Sequence, residues 1–269
     1  MGNHVGVGDL EIWVERVGSG PDVLLIGGLG DTVESWQLQL DGLADRYRMT
    51  AFDNRGAGRT VLPPEPLTMA RIADDAAAVL AAHEVSAAHV AGFSGGSLVA
   101  QELALRHPEV VRSLVLQSTW ATADRYLRGW LGFAGWLAEV APSERAFLEA
   151  FFLDVYTPRA HNDGTVDQFV EEVLAFPHKQ TTESFQRFVD GLIAHDTTGR
   201  LAEVTAPTLV LAGGRDPISR PELCRAVADA IPGAVFEVLE EEAHQPFQEV
   251  PDQWNARVDS FWREVEGAG

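Results

Sequence analysis

Apolar runs, the first and last of them closing on Gly-Gly and each followed by a helix-like stretch, recur along the chain: PDVLLIGG (21–28), YRMTAFD (47–53), AAHVAGF (87–93), VRSLVLQS (111–118) and APTLVLAGG (206–214). Continuous apolar character suits strands buried on both faces, and strand–helix alternation suits a largely parallel sheet covered by helices. This rhythm constrains the fold class more than any other feature, and it predicts an α/β fold. Between the runs, LTMARIADDAAAVLAAHEV (67–85) and SLVAQELALRHP (97–108) have helical periodicity, the second stopping at Pro108. DLEIWVERVGSG (9–20) alternates like an antiparallel strand before a Gly-Ser-Gly turn, and AVFEVLEE (234–241) supplies a last strand.

Residues 120–200 break the rhythm. They hold no buried strand pattern and read as helical, which divides the chain into a core (1–119 and 201–269) and a helical insertion. The insertion concentrates 13 of the 23 aromatic residues. Most are expected to form its own small core; Trp120 and Trp130 are the candidates to line an apolar cleft where insertion meets sheet.

Composition narrows the partners. A net charge of −20 repels nucleic-acid phosphates and anionic lipids, so neither is an expected partner. The N-terminus lacks a signal-peptide pattern and no segment reaches the roughly 18 apolar residues of a membrane span, which points to the cytosol. The single cysteine, Cys224, allows no internal disulfide and no cysteine-based zinc site, and it reads as a packed helix residue.

GFSGGS (92–97) places Ser94 between glycines, directly after a strand pattern and before a helix pattern. By composition, with 25 glycines and 11 serines, a chance G-x-S-x-G is expected about 0.1 times, so the motif alone is weak. Its context is stronger. A serine on a sharp strand-to-helix turn is held out as a nucleophile, small residues at 92, 95 and 96 permit that turn, and the helix N-terminus favours developing negative charge.

Serine needs a base, and the base an orienting carboxylate. Of eight histidines, His83, His89 and His107 lie in or beside regular elements, His4 is terminal, and His161, His178 and His195 fall in the insertion. His244 follows the last strand on a loop, AHQPFQEVP, that can deliver it to the strand ends. Asp216 lies in LVLAGGRDPIS, just past a strand, and completes the chain order Ser94, Asp216, His244 expected for this turn type. Its competitor position, after the preceding strand, offers no carboxylate before Asp124. For the oxyanion, the backbone N–H of Gly95 is one expected donor and that of Leu29, in the glycine-rich loop IGGLGDT (26–32), the other.

With these motifs in order, the chain resembles the α/β-hydrolase superfamily from about residue 9 to 265. The resemblance rests on GGLGD, FDNRGAGRT (52–60), GFSGG, GGRDP and AHQPFQEVP, and is nearest the enol-lactonase, esterase and cofactor-free haloperoxidase group. It implies a mostly parallel eight-stranded sheet flanked by helices, a helical cap inserted after the sixth strand, and chemistry without cofactor or metal. Two positions depart from the pattern: Gly27-Gly28 stands where relatives carry His-Gly, which predicts a looser or roomier loop, and Thr60 stands where the turn normally ends in serine. The expected function is hydrolysis of a carboxylic ester or lactone of a largely apolar small molecule through an acyl-enzyme. The same residues could serve a thioester, a C–C bond or a cyclisation, and a non-catalytic binder on this fold is the alternative from another class. Serine at the elbow argues against the carboxylate nucleophile of epoxide and haloalkane enzymes.

Overall fold

The computed structural model of the chain describes residues 2–8 and 10–267. Eight strands form one sheet: β1 (Asn3–Val7), β2 (Leu10–Gly18), β3 (Asp22–Ile26), β4 (Arg48–Phe52), β5 (Ala88–Phe93), β6 (Val111–Gln117), β7 (Thr208–Gly213) and β8 (Val235–Leu239), in the order β1-β2-β4-β3-β5-β6-β7-β8. The β1–β2 and β2–β4 pairs are antiparallel and the remaining five parallel. The five apolar runs are the five central strands β3 to β7. β5 and β7 are buried at every residue, as their unbroken apolar character requires. β2 alternates and turns Leu10, Ile12 and Val14 inward; Asp9, expected to open it, lies outside the described residues. β1 begins upstream of the expected start of the fold. Its mostly exposed residues offer only a two-residue alternation, Val5 and Val7, which pack on the core, and pairing with β2 makes NHVGV a strand.

Eleven α-helices are present among the described residues. On the core are α1 (Gln37–Leu43), α2 (Met69–Ala82) and α3 (Gly95–Arg106). Between β6 and β7 come α4 (Arg125–Val140), α5 (Glu144–Val155), α6 (Pro158–Asn162), α7 (Thr165–Ala175) and α8 (Thr182–Ala194). The chain closes with α9 (Pro221–Ala230), α10 (Pro246–Glu249) and α11 (Pro251–Gly267). Asp124, Ser143, Thr157 and Thr181 cap α4, α5, α6 and α8 by accepting a backbone N–H, so these helices start where short polar side chains stand. Asp124 is thereby a helix cap that also binds Arg220, and Cys224 is buried in α9 against the Thr119 backbone, where burial pushes its thiol well up.

Two apolar cores cover the faces of the sheet. One joins α2, α3, α9 and the inner sides of the α4–α8 helices; the other packs Trp36, just before α1, and Phe247, Trp254 and Trp262, from α10 and α11, against β3 to β7. Among the described residues no helix is long and apolar enough to cross a membrane.

Candidate active site

Parallel register brings three loops to one edge of the sheet. Ile26 pairs with Gly92 and Phe93 with Gln117, Gln117 pairs with Leu211, and Gly213 with Leu239. The chain therefore leaves β3, β5 and β7 at the same edge, with β6 between the last two, and the loops after these strands carry Leu29, Ser94 and Asp216.

Ser94 has φ +50°, in the left-handed region that costs a residue with a Cβ on the order of 1–3 kcal/mol. Glycine neighbours hold it there by close approach. A Cβ at Gly96 would stand 2.0 Å from the Ile26 carbonyl, and one at Gly92 2.3 Å from the Gly96 carbonyl. Strand and helix can therefore meet only with glycine at both positions. Ser94 sits 7% exposed at the N-terminal end of α3, where Gly95 opens the helix and its N–H has no partner within it.

His244 Nε2 lies 2.9 Å from Ser94 Oγ, and its Nδ1 lies 2.8 Å from Asp216 Oδ2. Asp216 Oδ1 accepts the N–H groups of Ile218 and Ser219 at 2.8 and 3.1 Å, and Oδ2 accepts Ser219 Oγ–H at 2.7 Å. Burial works to raise the carboxyl, but the His244 charge and these hydrogen bonds outweigh it and hold Asp216 below the usual range. An ionised Asp216 fixes the proton on Nδ1, which leaves Nε2 as an acceptor facing the serine hydroxyl. The imidazole is gripped through its own backbone: its N–H donates to Val155 at the end of α5 (3.1 Å), and its carbonyl accepts Ser118 Oγ–H (2.8 Å). Ser118 itself takes φ +55° at the end of β6.

The loop after β3 is pinned, contrary to the expectation that losing its histidine would loosen it. Asp31 Oδ2 accepts the Gly28 N–H at 2.7 Å, and Asn54 Nδ2 donates to the Gly27 carbonyl at 2.9 Å. A Cβ at Gly27 would stand 2.7 Å from Asp31 Cβ, so the aspartate occupies the room a side chain at 27 would need. Gly28 abuts the Ser94 turn, its Cβ position lying 3.1 Å from Ser94 Cβ. With the Gly28 N–H engaged, that of Leu29 is the next along the loop. Burial pushes the Asp31 carboxyl up, against the Gly28 and Ser35 hydrogen bonds and the pull of His244. Thr60 closes its turn by accepting the Trp13 N–H at 3.0 Å, and Asp53, in the same turn, accepts the Val33 and Arg59 N–H groups.

Above Ser94 and His244 opens a cavity of about 1020 Å³, walled by α4, α5, α7 and α8 and by the loop after β3. Trp120 and Trp130 both line it. So do Phe147, Phe151, Phe152, Tyr156, Phe169, Phe176 and Phe185, most of which also pack on one another in the insertion's own core, so that this core has a hollow centre. Helices ringed around a void cannot pack all their inward rings on one another, and the surplus faces the void. Phe188 instead covers Gly95.

The other histidines stand apart. His89 is buried between Ser113 and Trp262, His107 binds Asp74, His161 the Phe152 carbonyl and His195 the Thr197 hydroxyl, while His178 lies on the cavity wall. Three residues that hold the site together were not predicted for it: Ser118, Ser219 and Asp31. Only Asp31 left a sequence signal, an acid three residues beyond Gly28 in the same loop.

The chain matches the alpha/beta hydrolase fold family over residues 21–250. A relative from Azorhizobium caulinodans, named "Putative carbamate hydrolase RutD", is 32% identical over 261 residues, 96% of this chain and 97% of its own. The thermophilic esterase from Thermogutta terrifontis superposes with a TM-score of 0.86 at 25% identity, covering 98% of this chain and 99% of the esterase. The enol-lactonase from Burkholderia xenovorans shares the fold with a TM-score of 0.87 at 21% identity, covering 97% and 100%. Family match, relatives and sheet topology agree: this chain belongs to the alpha/beta hydrolase fold family and is an enzyme of that class.

Proposed function

We propose that the chain is a serine hydrolase cleaving a carboxylic ester or lactone of a largely apolar small molecule. The observation that carries this is the unbroken Ser94–His244–Asp216 hydrogen-bond chain at the floor of an aromatic-walled cavity. Ser94 Oγ attacks the carbonyl carbon as its proton passes to His244 Nε2, and Asp216 holds the resulting imidazolium. The Gly95 and Leu29 N–H groups receive the oxyanion. Collapse expels the alkoxide, which takes the proton from His244 and leaves Ser94 acylated. Water, losing a proton to His244, then attacks the acyl carbon and frees the acid and the serine.

Substrate character follows from the cavity. Its volume matches the upper end of small-molecule sites, roughly 300–1,000 Å³, and nine insertion aromatics line it, with Trp120 and Trp130 serving as apolar contacts to the substrate. The 120–200 segment acts here as the cap over the catalytic core, and the cytosol is the compartment that fits an acidic chain with one buried thiol.

The test is labelling with a fluorophosphonate probe and turnover of aryl esters and lactones. Wild type should label and hydrolyse, and Ser94→Ala should lose labelling and several orders of magnitude in turnover. Near-normal hydrolysis by Ser94→Ala would end the proposal. The carbamate named for the 32%-identical relative favours a second reading, in which the same oxyanion chemistry acts on a carbamate carbonyl. A matched ester and carbamate pair separates the two by its kcat/KM ratio.

A further inference from the structure

Helix α4 is apolar on both sides. Leu127, Leu131 and Ala134 are buried on its inner face, while Tyr126 (55% exposed), Phe133 (48%), Trp136 (54%) and Val140 (50%) face outward. Tyr126, Phe133 and Val140 follow each other at seven-residue spacing, and so do Gly129 and Trp136, which puts them on one stripe. Single exposed apolar residues are ordinary on a protein surface; four on one helix face are the kind of patch that marks an interaction site.

The stripe has relief and polarity. A Cβ added at Gly129 or Gly132 would meet nothing within 4 Å, and Gly129 lies in a shallow hollow bordered by Tyr126, Trp130 and Phe133. At its two ends stand opposite charges: Arg125 in the first turn and Glu139 in the last, both exposed and neither in an ion pair among the described residues, Glu139 Oε1 accepting the Gln186 side-chain N–H at 3.2 Å.

We propose that this face of α4 is the interface with a second copy of the chain, the two α4 helices crossing antiparallel about a twofold axis between Gly132 and Phe133. In that register Trp136 of each copy drops into the partner's Gly129 hollow, Phe133 crosses the partner's Gly132, and Arg125 comes beside the partner's Glu139. An isologous contact requires a self-complementary surface, and knob, hollow and opposed charges on one helix provide it. A parallel pair would bring like ends together and leave both hollows unfilled. An anionic bilayer is a poor occupant for a chain of net charge −20. The same helix lends Trp130 and Leu131 to the cavity wall, so pairing braces that wall in both copies.

Sedimentation velocity across micromolar concentrations tests this independently of the reaction. Wild type should sediment as a dimer. Trp136→Glu and Gly129→Leu, both on the outer face, should raise the dimer Kd by roughly thirtyfold or more while far-UV circular dichroism stays unchanged. Arg125→Glu should weaken the dimer, and the double variant Arg125→Glu/Glu139→Arg should restore it. Wild type that stays monomeric would overturn the proposal, as would a dimer indifferent to Trp136→Glu. Monomeric protein that floats with phosphatidylcholine vesicles would overturn it in favour of a lipid surface.

Discussion

Asp31→Ala tests whether the pinned loop after β3 serves the reaction. The substitution removes the 2.7 Å acceptor of the Gly28 N–H in a site where Asp31 is only 8% exposed. Leaving a buried N–H without a partner costs about 1–3 kcal/mol. If that cost falls on the loop conformation that presents Leu29, it appears in the transition state and not in substrate binding. At about 1.4 kcal/mol per factor of ten, kcat should fall roughly 5- to 150-fold with KM moved less than about threefold. Most of that range lies below the roughly 10²–10³ lost on deleting an oxyanion donor outright and only its upper end reaches it, as it should for a residue acting through the loop. Asp31→Asn keeps an acceptor oxygen of the same reach and should retain kcat within about threefold. Steady-state kinetics on a soluble aryl ester, with a thermal melt for each variant, is the assay. The reasoning is refuted if Asp31→Ala leaves kcat intact, or if Asp31→Asn falls as far as the alanine variant.

Three further outcomes follow from particular contacts. Gly213→Ala would drive a Cβ to 1.8 Å from the Ala243 carbonyl, so the His244 loop must move; turnover should drop at least tenfold together with a lower Tm, measured on the same preparation. Ser94→Gly should abolish turnover yet raise stability by about 1 kcal/mol in urea titrations, because glycine takes φ +50° without the Cβ penalty. His195 and His89 are both pushed down to about 4, first by burial, so each is neutral in the fold and charges more readily when unfolded. Their folded pKa lies below the unfolded value, so their contribution is complete above about pH 6.5 and is lost as pH falls toward 4. Chemical denaturation at pH 7 and pH 4.5 should show a loss that His195→Gln reduces.

The sequence by itself determined most of the sheet and pointed to Ser94, Asp216 and His244 as residues that meet at its strand ends. Buried parallel strands need unbroken apolar runs, so β3 to β7 could be read in order, and β2 through its alternation. A serine on a strained turn needs glycine around it, which made Ser94 visible; Asp216 and His244 followed because each stands just beyond a strand end. β1 was not legible, because the alternation of Val5 and Val7 in NHVGV is only two residues long, too short to announce a strand before its backbone pairs with β2.

Only the tertiary structure decided what surrounds those residues. The grip of Ser118 and Val155 on the His244 backbone joins segments far apart in the chain, through groups every residue or any serine possesses. Asp31 fills the room left by Gly27, a relation of volumes that local sequence does not encode. The aromatics of the insertion had a helical period, and period states that a face is apolar without stating what it faces. Folding sent nine of those rings to the cavity and Phe188 to Gly95, and it left Tyr126, Phe133 and Trp136 on the outside of α4.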